Sequence, residues 1–229
     1  MPRPDKRLLL TATPELEDFA HKYTEEGEGR IGRRLLDGYF QSVESLITIS
    51  HLSDEPIVRA IEVGCGEGFS TQRLRAMLPA TFQLQASEYV ETLVPAAQKR
   101  NPTVPIIQES IYETTHADNS FDLIFLLEVL EHLDYPAAAL TELSRILKPG
   151  GYLVLGVPRE PLWRALNMMR GKYLGQLGNT PGHLNHWSTR SLTRMIHQRF
   201  GSVVARRTPL PWTQVLVKNE DRLASPANR

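Results

Sequence analysis

A chain of 229 residues, 41% hydrophobic and 23% charged, has the length and composition of one α/β domain with a small appendage. Lys plus Arg (26) equals Asp plus Glu (26), so the net charge of zero predicts no strong field toward nucleic acid or an anionic membrane and argues against a large polyanionic substrate. The one cysteine, Cys65, cannot form an intramolecular disulfide, and the apolar run 8–10 is too short for a signal-peptide core or a membrane span; both point to a cytoplasmic protein without membrane insertion.

In chain order, residues 1–50 carry two helix-like stretches, 15–23 and 33–49, joined by the glycine-rich link 25–32. The link is expected to act as a flexible hinge or substrate-gating loop. A plain surface loop between two packing helices is the alternative, and an apolar helix here can equally serve as a homodimer face. Residues 51–218 form the main domain, and 219–229 a frayed polar tail. Strands are predicted at 57–63, 81–87, 104–108, 121–127 and 151–157, with helices at 69–78, 91–100, 136–147 and 188–199. That alternation predicts a doubly wound, mostly parallel sheet. Pro102 and Pro105 bracket the third strand and place it at an edge. The last strands, 201–208 and 212–218, are joined by Pro209-Leu210-Pro211, a connection short enough only for an antiparallel pair.

The chemistry begins where the apolar run 57–63 is cut by Gly64, Gly66 and Gly68, with a helical pattern following at once. Strand, tight glycine turn and helix bring the backbone close to a nucleotide-like ligand, where any Cβ would block the approach. Glu62 ends the strand, placed to meet a positive group. Glu88 stands past the second strand, where it can accept hydrogen bonds from both ribose hydroxyls of an adenosine-containing ligand; Tyr89 beside it can lie against the adenine. The third glycine comes one residue earlier than in the nicotinamide fingerprint, which counts against an oxidoreductase. Cys65, inside the glycine turn, reads either as a reactive thiol or as a small residue tolerated beside the ligand.

Together these features resemble the class I S-adenosylmethionine-dependent methyltransferases. The resemblance rests on the glycine loop Glu62-Val-Gly-Cys-Gly-Glu-Gly68, on Glu88, on Ser110 and Ile111 ahead of Asp118-Asn-Ser-Phe-Asp122, on Glu128-Val-Leu-Glu-His-Leu133, and on the Lys148-Pro-Gly-Gly151 turn into the fifth strand. It spans roughly residues 56–218. It implies a seven-stranded Rossmann-like sheet with a terminal antiparallel strand, residues 1–50 as an N-terminal helical lid over the cofactor, and S-adenosyl-L-methionine as that cofactor. The cofactor would be held by Glu62, Gly64, Cys65, Gly66, Gly68, Glu88, Tyr89, Ser110, Ile111 and Leu127. Ser110 stands where many relatives carry Asp.

Displacement at a sulfonium needs chiefly alignment, but a hydroxyl acceptor must also lose a proton to a base or a metal-assisted step. If the segment after the fourth strand is helical, Glu128, Glu131 and His132 share one face at i, i+3 and i+4. They can then hold a divalent cation such as Mg²⁺, with His183 or His186 as a further ligand. This set resembles the metal site of the ubiquinone-biosynthesis O-methyltransferases and of the RNA 3′-terminal 2′-O-methyltransferases. Without metal, His132, His183 or His186 is the candidate base. His21, His51, His116 and His197 read as surface or packing residues. Residues 158–187, carrying Trp163, Met168, Met169, Tyr173 and Trp187, are read as a substrate-pocket wall, with one extra helix buried on the core as the alternative. The late arginines, Arg190 to Arg207, read as solvated faces or a local basic surface.

The leading reading is a methyltransferase acting on a small molecule, with oxygen favoured over nitrogen or carbon as acceptor. An RNA 2′-O-methyltransferase using a divalent metal is the first alternative, and neutral charge counts against it. From other classes come a nicotinamide-dependent oxidoreductase and a non-catalytic methyltransferase-like binding subunit, though the latter need not keep both the glycine loop and Glu88.

Overall fold

In the computed structural model, which describes residues 29–220, the predicted alternation becomes one seven-stranded sheet in the order β3-β2-β1-β4-β5-β7-β6. The strands are β1 (Val58–Val63), β2 (Phe82–Glu88), β3 (Ile106–Gln108), β4 (Phe121–Leu127), β5 (Leu147–Pro158), β6 (Gly201–Arg207) and β7 (Trp212–Asn219). The helices are α1 (Arg30–Ser50), α2 (Phe69–Met77), α3 (Val94–Arg100), α4 (Pro136–Ile146), α5 (Leu162–Met169) and α6 (Thr189–Arg199). The first five strands run parallel, and β7 is antiparallel to both β5 and β6. The strand order reverses between β1 and β4, so their carboxyl ends open a crevice at the switch point where such sheets bind ligands.

The sequence of β4, Phe-Asp-Leu-Ile-Phe-Leu-Leu, is a near-continuous apolar run because helices cover both faces of a central parallel strand. Its side chains alternate between two cores. Leu123 and Phe125 face α1, α2 and α3, whereas Ile124 and Leu126 face α4 and α6. Helix α1 buries Tyr39, Phe40, Val43, Leu46 and Ile47 at helical spacing, and each large apolar side chain so buried contributes about 2 kcal/mol. It lies across β5, β6 and β7.

Three departures from the sequence reading concern boundaries. Residues 30–32, assigned to the glycine-rich link, are the first turn of α1, while the helix expected at 15–23 lies outside the described residues. Strand β5 begins at Leu147 rather than 151, because Phe121 pairs with Leu147 before the register shifts to Leu123 with Tyr152. Asn219, assigned to the frayed tail, is the buried last residue of β7; its amide donates to the carbonyls of Ser144, Leu147 and Lys148. The segment 158–187 contains α5, whose one fully buried residue is Asn167.

Candidate active site

The three glycines after β1 answer to three different neighbours. A Cβ on Gly64 (φ +77) would lie 2.6 Å from Val129 Cγ2, so the loop after β4 is already packed on it. A Cβ on Gly68 would strike the Asn101 amide and stand 3.1 Å from Ala97 Cα, which lets α2 start against α3. On Gly66 (φ +55) a Cβ meets no atom within 4 Å, so the side open there is the side a ligand can approach. The N–H groups of Gly64 and Cys65 both donate to Ser87 O, at 2.8 and 3.0 Å, tying the turn to β2. Cys65 is buried, and burial, aided by the Glu62 and Glu88 carboxylates, pushes its thiol up, away from the reactive thiolate. Of its two readings the structure favours the small residue beside the ligand.

Two carboxylates flank this turn. Glu62 is buried, with Oε2 accepting from the Thr71 hydroxyl at 2.5 Å and Oε1 lacking any hydrogen-bond partner. Burial raises its pKa to about 7; the Ser70 and Thr71 hydroxyls pull it down and the nearby Glu88 charge pushes it up. Glu88 accepts from Gly66 N–H at 2.6 Å and from Val90 N–H at 2.9 Å. Each of its oxygens keeps a further lone pair. Tyr89 is half-buried next to it, and Ser110 and Ile111 follow β3 across the crevice, with the Ser110 hydroxyl accepting from Tyr112 N–H at 3.3 Å. Leu127 closes β4, buried, on the third side. An unpartnered buried carboxylate oxygen, an open glycine and a carboxylate set for vicinal hydroxyls fit an adenosyl amino acid.

The acceptor side departs from the helix expected there. Glu128 N–H still donates to Gly156 O at 3.0 Å, extending the β4–β5 ladder, and Glu128 then takes a left-handed conformation (φ 58). Only one 3₁₀ turn, Leu130–His132, follows. The shared helical face is therefore not formed, and the Glu128 carboxylate instead accepts from Trp212 Nε1 at 2.8 Å. Glu131 and His132 are joined by His183, all three buried, with ligand atoms within 4.8 Å of one another. His132 Nδ1 is 2.9 Å from Gly182 O. A carbonyl only accepts, so Nδ1 carries a proton, and in the neutral ring the lone pair then falls on Nε2, 4.0 Å from Glu131 Oε1. The N–H groups of Leu184 and Asn185 both donate to Glu131 O at 2.9 Å, stitching the His183 segment to this turn. His186 stays outside, exposed, with Nε2 2.6 Å from Asn179 Oδ1.

An aromatic wall adjoins the cluster. Trp163 of α5 stacks on His183 (6.0 Å, 28°) and packs on Trp212 (5.9 Å), which meets Tyr39 of α1 edge to face at 5.0 Å. Sequence reasoning found Trp163 but not Tyr39 or Trp212. Their only signals were an aromatic in the α1 stripe and a tryptophan opening the last strand.

A doubly wound sheet with an open glycine turn at its switch point and an acidic residue after β2 is the arrangement by which α/β proteins take a nucleotide-like ligand. Residues 61–155 match the model of the methyltransferase domain family, and over that stretch the chain is similar to class I S-adenosylmethionine-dependent methyltransferases. It is 32% identical to a probable S-adenosylmethionine-dependent methyltransferase of Mycobacterium tuberculosis strain H37Rv, over 44% of this chain and 35% of that one. It is 35% identical to the trans-aconitate 2-methyltransferase of Acidovorax sp. strain JS42, over 51% of this chain and 43% of that one. The chain thus spans less than half the length of these curated relatives. A solved SAM-dependent methyltransferase from Aquifex aeolicus superposes with TM-score 0.62 at 19% identity, covering 77% of this chain and 88% of that one, a likeness of fold.

Proposed function

We propose that the protein transfers a methyl group from S-adenosylmethionine to an oxygen of a small molecule held against Glu131, His132 and His183. The observation that carries this reading is the buried carboxylate and imidazole pair at the carboxyl edge of β4, beside the glycine turn and walled by Trp163 and Trp212. The cofactor supplies an electrophilic methyl on a sulfonium. Glu62 Oε1 would take its amino group, Glu88 the ribose hydroxyls, and the Ser110–Ile111 backbone the adenine edge. His132 Nε2 is the base: its tautomer is fixed through Nδ1, and Glu131 beside it stabilises the imidazolium that forms on taking the acceptor proton. The stacked Trp163–His183 face would position a planar acceptor. A relative whose name gives trans-aconitate as its acceptor supports the small-molecule class.

A second reading is favoured by the donor set itself. Two imidazole nitrogens and one carboxylate within 4.8 Å suit a divalent transition metal better than Mg²⁺, which prefers oxygen, and the Nδ1 bond from His132 to Gly182 O is the outer support such a ligand uses. One assay tests both. S-adenosylhomocysteine release is followed over a panel of phenols, carboxylic acids and amines, with and without chelator, for the wild type and His132→Ala. The reading predicts turnover of an oxygen acceptor, slowed roughly 10²–10⁴-fold in the variant. Turnover of amines alone, or full activity in His132→Ala, overturns it; loss on chelation moves the assignment to the metal.

A further inference from the structure

From Pro161 to Asn219 the chain holds nine Lys or Arg and no Asp or Glu. The fold brings three of those arginines together. Helix α6 packs Leu192 and Ile196 into the core. Beside that stripe, Thr189, Arg190, Thr193, Arg194 and His197 recur at i, i+1, i+4, i+5 and i+8, which places them along one face of the helix. Arg206 of β6 stands across from them, and the six residues line a groove of about 440 Å³ with no carboxylate in its wall.

Arg206 reaches this face through a β-bulge. Val203 pairs with Val217 and Ala205 with Leu216, so β6 uses two residues where β7 uses one, and the exposed Val204 is the extra. Val203 accordingly packs on the core that holds α6, and Ala205 on the core that holds α1. Plain alternation from Val203 would turn Arg206 toward α1. The bulge turns it toward α6 instead and sends Arg207 to α1, where Nε and Nη2 donate to Ser45 Oγ at 3.2 and 2.9 Å.

Arg190, Arg194 and Arg206 form no ion pair with any described residue. Arg190 and Arg194 stand at i, i+4, where like charges repel unless an anion sits between them. Both threonine hydroxyls are engaged elsewhere: Thr193 Oγ1 donates to Thr189 O at 2.8 Å, and the Thr189 and Thr213 hydroxyls are 3.1 Å apart. The donors left to the groove are chiefly guanidinium forks, which match phosphate oxygens two at a time.

We propose that this groove binds a small molecule through a diphosphate group. A phosphate carries about −1.5 to −2 charges at pH 7, so one leaves a guanidinium unmatched and two match all three. The volume falls in the small-molecule range of about 300–1,000 Å³. Macromolecular anions fit less well: no aromatic side chain lines the groove to stack nucleobases, and no large apolar one to enter a bilayer. None of the lining residues belongs to the Glu131–His132–His183 cluster or to the glycine turn, so the site stands or falls apart from the proposed reaction.

The test is calorimetric titration of the full chain with pyrophosphate, ADP and inorganic phosphate. Three variants accompany the wild type: Arg194→Gln and Arg206→Gln in the groove, and Arg207→Gln on the opposite face of the same strand. Saturable pyrophosphate binding is expected, weakened by added salt and roughly 10-fold or more in each groove variant, and kept in Arg207→Gln. Inorganic phosphate should bind about 10-fold more weakly. ADP bound as tightly as pyrophosphate supports a diphosphate from any source; ADP bound more tightly, and lost in the same variants, supports a nucleoside diphosphate. The groove variants should keep the wild-type melting temperature without ligand, which separates lost binding from lost folding. No pyrophosphate binding, unchanged binding in either groove variant, equal loss in Arg207→Gln, equal affinity for inorganic phosphate, or retention only of an oligonucleotide or of anionic vesicles overturns the proposal.

Discussion

Burial of the Glu62 carboxylate beside Glu88 holds its pKa at about 7, against 4.5 for an ordinary glutamate. The folded chain thus keeps a proton that the unfolded chain has lost over this interval. The stability this contributes is full below about 4.5 and is lost as pH rises through about 7. A cofactor ammonium pairing with Oε1 favours the ionised form, so binding on the acid side of pH 7 must expel about one proton. Titration of S-adenosylhomocysteine in buffers of different ionisation enthalpy should show that release, fading at alkaline pH, and Glu62→Gln should abolish it. Binding without proton release at mildly acid pH would place the amino group elsewhere. At this scale Glu62, Glu88 and the glycines were legible because their chemistry depends on a few adjacent residues. The choice of His183 over His186 was not, because the His132 ring on the Gly182 carbonyl and the Glu131 carbonyl on Leu184 and Asn185 make it from about fifty residues away.

Among the elements, long periodic segments such as α1 and the apolar run of β4 could be read directly, because burial dictates their pattern. Helix α5 could not: it has eight residues and fully buries one, so its apolar side chains reflect the pocket and the exposed loop rather than a core. The Glu128–His132 segment has helical spacing but not helical structure. Ladder pairing of Glu128 with Gly156 takes the first residue before a helix can start, an effect visible only once β5 is beside β4. Sheet closure gives the element-scale prediction. Asn219 anchors the end of β7 to the α4–β5 corner through three carbonyls, and its Oδ1 accepts from the Ser144 hydroxyl at 3.0 Å. Asn219→Ala should lower unfolding free energy by about 1–3 kcal/mol in urea titration, through unsatisfied buried carbonyls. A change below about 0.5 kcal/mol would mean that water or a frayed strand end already serves them.

For the molecule as a whole, the sheet order places the cofactor turn after β1 and the Glu131–His132–His183 cluster after β4, on the two sides of the switch point. Fold class and cofactor class were readable from the linear order of motifs. The late arginines were visible, but the sequence left open whether they are solvated faces or a local basic surface, and the aromatic wall was hidden by its assembly from α1, α5 and β7. Fold alone does not carry an activity; the proposed one stands on the cofactor cradle proposed at this turn. The most direct test is therefore calorimetric titration of S-adenosylhomocysteine into the wild type and Gly66→Ala. No atom stands within 4 Å of the Cβ this substitution adds, and the positive φ should cost the fold about 1–2 kcal/mol. One saturable site in the wild type, lost in a folded Gly66→Ala, is predicted. Equal affinity in the two, or no binding to the wild type, would contradict a cofactor seated on this turn.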